Sequence, residues 1–389
     1  MREMLSRKVR GIAPSGIRKF FDIVNEMPDA ISLGVGEPDF DTPWHVRDVG
    51  IESLERGRTF YTSKSGLMPL REEIVRYLSR RCHVDYDARK ETLVTVGGSE
   101  AIDIGLRALL NPGDEVLIPQ PSYVSYLPCT ILADGVPVGI ELEEKDAFKL
   151  TRKKLEAAIT PKSKILVLPF PNNPTGAVMS RDELAELTDL ICEHDLFVIS
   201  DEIYSELSYH GEHATIVALP GMRERTLLIN GFSKAYAMTG WRLGYACGPE
   251  WLIAEMTKIH QYAIMCAPTT SQYAAVEAMR NGDRDVEQMR DAYNDRRKYL
   301  LERFAQMGLP CFEPHGAFYC FPNISRFGMS SEEFATRLLE EEKVAVVPGP
   351  AFGDCGEGFI RISYAYSLEN LKEALDRMEQ FIARLDGKN

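Results

Sequence analysis

Long apolar runs, a disulfide pattern and a leader segment are all missing from this 389-residue sequence. No segment approaches the roughly 18 uninterrupted apolar residues of a membrane helix, and the basic N-terminal residues precede neither an apolar stretch nor a small-residue cleavage site. The eight cysteines include no Cys-x-x-Cys pair and no matched zinc spacing. We therefore expect no membrane partner, a cytoplasmic location and unpaired thiols in a reducing compartment.

Positive charge is also scarce, because 45 lysines and arginines stand against 58 aspartates and glutamates, a net charge of −13. A surface built to bind nucleic acid is therefore not expected. Gly34-Val35-Gly36 does not begin a dinucleotide-binding fingerprint, because Asp39 stands where a third glycine is required. Binding of NAD is not expected either. What is present, 44% hydrophobic and 26% charged residues, is typical of a globular protein.

Short β-branched runs alternate with helical patterns between about residues 91 and 250, as in parallel βαβ units. One helix is predicted over residues 99–110, and another begins with a capping box at Ser180 and Glu183 and ends near His194. Predicted strands cover residues 91–96, 115–119, 137–142, 164–169, 196–200, 226–230 and 242–247. The sequence thus predicts an α/β fold around a large, mostly parallel sheet.

Long helical patterns follow residue 250, including residues 283–306, and a second strand-bearing segment begins at Gly316. Its predicted strands cover residues 317–321, 344–347 and 359–364, and its last helix has an apolar stripe formed by Leu371, Leu375, Met378, Ile382 and Leu385. This pattern indicates a smaller α+β domain. We place the large domain at residues 50–285 and the small domain at residues 1–49 and 286–389.

Four polar blocks follow predicted strands in order, at the sheet edge where ligands bind in open α/β folds. They are Asn172–Gly176, Ser200–Tyr204, Ser233-Lys234 and Met238–Arg242. A lysine after a strand is usually a surface residue, and an aspartate that ends a strand is often only a helix cap. The ordered set is harder to explain in this way, so it indicates one ligand site.

These blocks, together with Ser32–Phe40 and Arg361–Tyr364, resemble the fold-type I pyridoxal-phosphate (PLP) enzymes. The specific resemblance is to the gamma subgroup of class I aminotransferases, which includes bacterial aspartate, archaeal aromatic and N-acetyl-diaminopimelate aminotransferases. It covers almost the whole chain. It implies a PLP cofactor and a large domain with a mostly parallel seven-stranded sheet beside a smaller α+β domain.

The resemblance assigns chemical roles to three catalytic residues, Lys234, Asp201 and Tyr204. Lys234 matches the lysine that forms a Schiff base with PLP and moves the proton of the substrate Cα. Asp201 matches the carboxylate beside the pyridine nitrogen, which strengthens the electron sink. Asn173 and Tyr204 match the residues that donate hydrogen bonds to the phenolic oxygen of PLP.

A phosphate site is implied by the same resemblance. Arg242 matches the phosphate arginine, Ser233 can add a hydroxyl, and Gly98 and Ser99 begin a helix whose N-terminus favours anions. Many relatives carry Ser or Thr three residues before the lysine, where this chain has Gly231. The phosphate shell is therefore expected to lack one hydroxyl.

Several further contacts are implied for cofactor and substrate. Tyr123 would stack on the pyridine ring, although a core tyrosine is the competing interpretation. Tyr61 would reach the phosphate in the neighbouring subunit of a homodimer. Arg361 would bind the substrate α-carboxylate, with Gly36 and Asn173 adding contacts.

The N-terminal segment and one histidine pair have weaker signals. Ile17 and Arg18 lie on a segment that in relatives folds over the active site, and Arg18 is a candidate for a distal carboxylate, although a solvent-facing residue is an equal alternative. His210 and His213 flank a glycine and a glutamate, but no third ligand is evident in the sequence. We interpret that segment as a surface loop and expect no metal.

The resemblance implies an aminotransferase with a ping-pong cycle, acting on an aromatic or acidic L-amino acid and a 2-oxo acid, with 2-oxoglutarate as the expected acceptor. Two alternatives remain open. A PLP-dependent carbon–sulfur β-lyase would use the same Lys234, Asp201 and Arg361. A PLP-binding regulator would need an added DNA-binding domain, for which the catalytic fold leaves no residues.

Overall fold

The computed structural model describes residues 4–14, 16, 27 and 29–387. In these ranges the α-helices are α1 (Arg7–Gly11), α2 (Trp44–Glu55), α3 (Met68–Cys82), α4 (Gly98–Leu109), α5 (Tyr126–Leu132), α6 (Arg152–Ala158), α7 (Arg181–Glu193), α8 (Glu250–Ala263), α9 (Thr269–Asn281), α10 (Asp283–Gln306), α11 (Ser331–Glu342) and α12 (Leu368–Leu385). None of these described helices is long and apolar enough to cross a membrane.

The strands form one large sheet and two small ones. They are β1 (Ile31–Ser32), β2 (Thr92–Thr95), β3 (Glu115–Gln120), β4 (Val136–Glu141), β5 (Ser163–Leu168), β6 (Phe197–Asp201), β7 (Thr226–Gly231), β8 (Gly244–Cys247), β9 (Tyr319–Cys320), β10 (Val344–Ala345), β11 (Val347–Pro348) and β12 (Ile360–Ser363). The large sheet has seven strands in the order β2-β8-β7-β6-β5-β3-β4. Strand β8 runs antiparallel to both of its neighbours, β2 and β7, and all other neighbouring strands in this sheet are parallel. The predicted mostly parallel, seven-stranded α/β sheet is therefore confirmed.

The central strands are apolar because helices cover both faces of the sheet. All six residues of β7 are buried. One face packs against α4 and α8 through residues such as Ile102, Leu252 and Met256. The other face packs against α7, whose Leu187 and Ile191 are fully buried. The capping box that begins α7 is confirmed, because Ser180 and Glu183 each accept a hydrogen bond from the other's backbone N–H.

The C-terminal region contains the two small sheets. Strands β11, β12 and β9 form an antiparallel sheet, and β10 pairs in parallel with β1. The single predicted strand over residues 344–347 is wrong, because its halves have different partners. Val344 and Ala345 pair with the N-terminal segment, whereas Val347 lies opposite Arg361. The domain boundaries at residues 50–285 remain a prediction.

The sheet places the predicted motifs at one edge. The segments that follow β5, β6 and β7 lie at the carboxyl ends of three adjacent parallel strands. The N-terminus of α4 approaches the same edge, because a Cβ on Gly244 would lie 2.6 Å from the Gly98 nitrogen. Four segments that are distant in sequence therefore meet around one cavity.

Candidate active site

A cavity of about 470 Å³ opens at this edge of the sheet. Eleven of the residues predicted from the sequence line it: Gly36, Gly98, Ser99, Tyr123, Asn173, Asp201, Tyr204, Ser233, Lys234, Arg242 and Arg361. The remaining lining residues had no individual role assigned from the sequence. They include Tyr126 and Tyr319, as well as Glu37 and Thr239, which lie within the predicted blocks. The structure thus brings most of the candidate residues together, whereas their individual roles remain predictions.

Lys234 lies just beyond β7, and its Nζ donates a hydrogen bond to the Gly36 carbonyl oxygen over 2.5 Å. Burial lowers the pKa of Lys234 to about 8; the positive charges of Arg361 and Arg242 add to the effect and Glu37 opposes it. An amine with this pKa has a much larger neutral, nucleophilic fraction near pH 7 than an ordinary lysine.

Asp201 is the last residue of β6 and is only 7% exposed. The Tyr126 hydroxyl donates to its Oδ2 over 2.7 Å, and the Ile203 backbone N–H donates to its Oδ1 over 3.3 Å. Burial raises the pKa of the Asp201 carboxyl, whereas these two hydrogen bonds lower it. No lysine, arginine or histidine in the described part of the chain forms an ion pair with it. Asp201 is therefore a buried carboxylate that can accept a cationic partner from a ligand.

Arg361 is the opposite case, a guanidinium that is only 2% exposed. Its Nη1 donates to Asn173 Oδ1 over 2.8 Å, and its Nη2 donates to the Gly34 carbonyl oxygen. Its Nε is buried and has no hydrogen-bond partner among the described residues. Burial lowers the pKa of Arg361, and no carboxylate among the described residues forms an ion pair that would offset this effect. The site is thus suited to a carboxylate supplied by a ligand.

Two tyrosines lie near Lys234 and Arg361. The hydroxyls of Tyr204 and Tyr319 are hydrogen-bonded over 2.7 Å, and Arg361 lies 4.4 Å from the centre of the Tyr319 ring. The Tyr319 hydroxyl also packs so closely on Gly36 that a Cβ there would lie 2.2 Å from it. The sequence contained Tyr319 in a predicted strand, but it gave no sign that this ring faces the cavity.

The other end of the cavity is suited to an anion. Gly98 and Ser99 form the first turn of α4, so their backbone N–H groups are free of helical partners. The Arg242 guanidinium packs against Gly97, where a Cβ would lie 2.7 Å from Nη2. Gly97 has a φ of +79°, which favours glycine. A helix N-terminus and an arginine therefore meet at one point.

Gly231, the departure noted in the sequence, has a local explanation. A Cβ at this position would lie 3.0 Å from Ile203 Cδ1 and 3.1 Å from Gly244 Cα. Because Gly231 pairs with Gly244 across β7 and β8, a larger side chain would press on the neighbouring strand. Ser233 remains the nearby hydroxyl and lines the cavity.

One described residue that was predicted for the site, Tyr61, does not line the cavity. Tyr61 is 80% exposed and lies with Phe60 and Cys266 in a separate surface groove. Tyr61 therefore has no place in the cavity of its own subunit. Its predicted contact with the phosphate in a neighbouring subunit remains a prediction. Ile17 and Arg18 lie outside the described residues.

Comparisons with known proteins identify the family. The model of the family "Aminotransferase class I and II" matches residues 28–378. The chain is 47% identical to an aspartate aminotransferase of Pyrococcus abyssi, covering 97% of this chain and 98% of the relative. It is 45% identical to the aromatic-amino-acid aminotransferase 2 of Thermococcus litoralis, covering 97% and 98%.

A solved structure gives the same result. The aspartate aminotransferase of Thermus thermophilus with maleate superposes with a TM-score of 0.93 at 40% identity, over 97% of this chain and 99% of that chain. The predicted resemblance is confirmed, and these relatives give the β-lyase alternative no support. The chain therefore belongs to the class I and II aminotransferase family, has the fold-type I architecture and is an enzyme that transfers amino groups.

Proposed function

We propose that this aminotransferase binds PLP in the cavity and transfers the amino group of an aromatic or acidic L-amino acid to a 2-oxo acid, with 2-oxoglutarate as the acceptor. The carrying observation is that Lys234, which has a lowered pKa, lines the same cavity as a buried carboxylate, Asp201, and a buried guanidinium, Arg361, neither of which has an ion-pair partner in the described residues. A ligand with a cationic ring and a substrate with a carboxylate would supply both partners.

The donor set fits PLP. When bound, PLP acts as an electron sink that stabilises negative charge developing at the substrate Cα. Asp201 would hold a proton on the ring nitrogen, because a buried carboxylate favours a cationic partner. The first turn of α4, Ser233 and Arg242 would bind the phosphate. Tyr123 lines the same cavity and would pack against the ring.

Substrate binding is assigned to Arg361, with Asn173 holding its guanidinium in place through a 2.8 Å hydrogen bond. A carboxylate that binds two guanidinium nitrogens is fixed in orientation as well as in position. This binding would place the substrate Cα near Lys234, whose Nζ would remove the Cα proton. Asn173 and Tyr204 would donate hydrogen bonds to the phenolic oxygen of the cofactor.

The substrate range is supported only by relatives. Two of the relatives are named for aspartate and for aromatic amino acids, and the Thermus structure contains maleate, which is a dicarboxylate. We propose two half-reactions, in which the first 2-oxo acid leaves before the second one binds. Ile17 and Arg18 remain candidates for contacts with the substrate side chain.

A homodimer with shared active sites is part of this proposal. Phe60 and Tyr61 are each 80% exposed, and Tyr262 is 88% exposed. Phe60 and Tyr61 line one surface groove, and an exposed apolar patch of this kind is consistent with an interaction surface. In a dimer, Tyr61 would reach the phosphate bound in the neighbouring subunit. A cytoplasmic location is also proposed, and the eight free cysteines are consistent with a reducing compartment.

The test is to mix the PLP-loaded enzyme with single amino acids and to follow the visible absorption band of the cofactor. Loss of the band with an amino acid, and its return with 2-oxoglutarate, would support two half-reactions and rank the donors. Lys234→Ala is the matched control, since it lacks the proposed proton-transfer amine. Release of a thiol or pyruvate with an unchanged band would overturn the proposal in favour of elimination.

A further inference from the structure

Two histidines, His210 and His213, lie in the loop after β6. His210 belongs to a cluster of side chains that has no role in the proposed reaction. His213 bonds to the buried Glu202, with 2.9 Å between Nε2 and Oε2. His210 instead faces Glu313 and His315, and ligand atoms of these three residues all lie within 4.8 Å of one another. The cluster could not be recognised from the sequence, because Glu313 and His315 lie about 100 residues after His210.

The cluster has the spacing of a site that closes with small side-chain movements. His210 Nε2 lies 3.7 Å from Glu313 Oε1, and the His210 and His315 rings have centroids 4.6 Å apart. Bonds of about 2.0–2.2 Å to a shared tetrahedral metal place ligand atoms about 3.3–3.6 Å apart, so the most widely separated atoms of the cluster must approach by up to about 1.5 Å. His210 and Glu313 are about half exposed, so their side chains are free to make that adjustment.

The backbone beneath the cluster is fixed. Tyr209 N donates to the His315 carbonyl oxygen and His315 N donates to the Gly176 carbonyl oxygen, each over 2.9 Å. An antiparallel bridge joins Ser208 to Gly316 between the same segments. The two histidines are therefore presented on paired backbone segments, which lowers the entropy that a ligand must overcome.

Arg297 adds a support of the kind that orients metal-binding carboxylates. Its Nη1 donates to Glu313 Oε1 over 2.7 Å and to the Pro314 carbonyl oxygen over 3.0 Å, and the side chain is only 3% exposed. Because a carboxylate has two oxygens, Glu313 can keep this bond through Oε1 and offer Oε2 to a cation. The positive charge of Arg297 also weakens cation binding at this site.

We infer that His210, Glu313 and His315 form a site for a borderline divalent transition metal such as Zn²⁺ or Co²⁺. Two imidazoles and one carboxylate favour these ions over Mg²⁺ and Ca²⁺, which prefer oxygen ligands only. The bound ion would pin the loop after β6 to the segment that leads into β9, which carries Tyr319 at the cavity. The remaining coordination positions face solvent.

Isothermal titration of the untagged, chelator-treated, PLP-loaded enzyme with Zn²⁺ tests the site. The variants are His210→Ala, His315→Ala and the double variant, and the control is His194→Ala, an exposed histidine that caps α7. We expect wild type and H194A to bind one Zn²⁺ per chain more than the double variant does. Each single variant should weaken binding at this site at least about tenfold.

A second measurement distinguishes this site from the eight thiols. Co²⁺ bound by imidazole and carboxylate gives visible bands without the intense thiolate charge-transfer band, and H210A should lose them. H210A is used for this measurement because the His210 side chain is about half exposed, and its far-UV circular dichroism and thermal unfolding are compared with those of wild type. Equal Zn²⁺ stoichiometry and affinity in wild type and the double variant would overturn the inference. Equal loss of binding in H194A would overturn it as well.

Discussion

Replacing Tyr126 with phenylalanine removes one oxygen from the buried end of the active-site cavity. The Tyr126 hydroxyl lies 2.7 Å from Asp201 Oδ2, and the carboxylate's second hydrogen bond, from Ile203 N, is longer at 3.3 Å. A hydrogen bond to a charged group contributes about 1.5–3 kcal/mol, and one pKa unit corresponds to about 1.4 kcal/mol. The Y126F substitution should therefore raise the pKa of Asp201, because the ionised carboxylate loses up to about 1.5–3 kcal/mol of stabilisation.

In the proposed complex with PLP, a higher pKa would move the proton from the cofactor ring toward Asp201 and would weaken the electron sink. We expect kcat/KM to fall by about 10- to 150-fold, since the whole hydrogen-bond contribution sets the upper limit. Steady-state kinetics measure this loss, and titration of the apoenzyme with PLP measures the accompanying loss of affinity. Tyr86→Phe is the matched control, because the Tyr86 hydroxyl is buried without a hydrogen-bond partner in the described structure. A Y126F enzyme indistinguishable from Y86F would refute the reasoning.

Three further predictions concern the lysine, the phosphate end and the carboxylate end of the cavity. The rate at which the apoenzyme binds PLP should rise with pH and become constant above about pH 8, because the pKa of Lys234 is lowered to about 8 and its amine is neutral above that pH. Stopped-flow absorbance measures this rate, and an inflection near pH 10.5 would contradict the prediction. Gly97→Ala should lower the free energy of unfolding in urea by about 1–3 kcal/mol, because φ is +79° and the new Cβ would meet Arg242. Gly240→Ala, with open space at its Cβ position, is the control and should match wild type. Arg361→Lys keeps the positive charge but loses the forked geometry of the guanidinium. KM for the amino acid should therefore rise about tenfold or more, while the affinity for PLP stays unchanged. Equal KM values for wild type and Arg361→Lys would contradict the assignment.

Much of the fold could be predicted because its signals are local. The capping box at Ser180 and the helix over residues 283–306 depend on neighbouring residues, and both are confirmed. Continuous apolar runs identify strands that are buried on both faces, since no polar alternation is needed there. The division of residues 344–347 between two sheets depends on partners outside the segment, because Val344 pairs with Ile31 near the N-terminus and Val347 pairs with Arg361. A local pattern does not contain these partners.

The candidate site could be predicted where its residues are polar and follow strands. Asp201, Lys234 and Arg242 belong to polar blocks that occur in order along the predicted sheet, and the ordered set, not any single residue, indicated a ligand site. Tyr126 and Tyr319 were missed because an aromatic residue in an apolar segment has the same pattern in a core as in a cavity wall. Only the folded backbone shows that their hydroxyls face Asp201 and Tyr204.

The charges of the cavity explain why its binding energy and its stability are linked. Asp201 and Arg361 are both nearly inaccessible to water, and neither forms an ion pair within the residues that the structure describes. Desolvating them costs free energy that hydrogen bonds to Tyr126 and Asn173 offset only in part. In the proposed function, a cofactor with a cationic ring and a substrate with a carboxylate would supply the missing opposite charges at the two ends. Ligand binding should therefore stabilise the fold most strongly through these two residues, because each gains a partner that the protein alone does not provide.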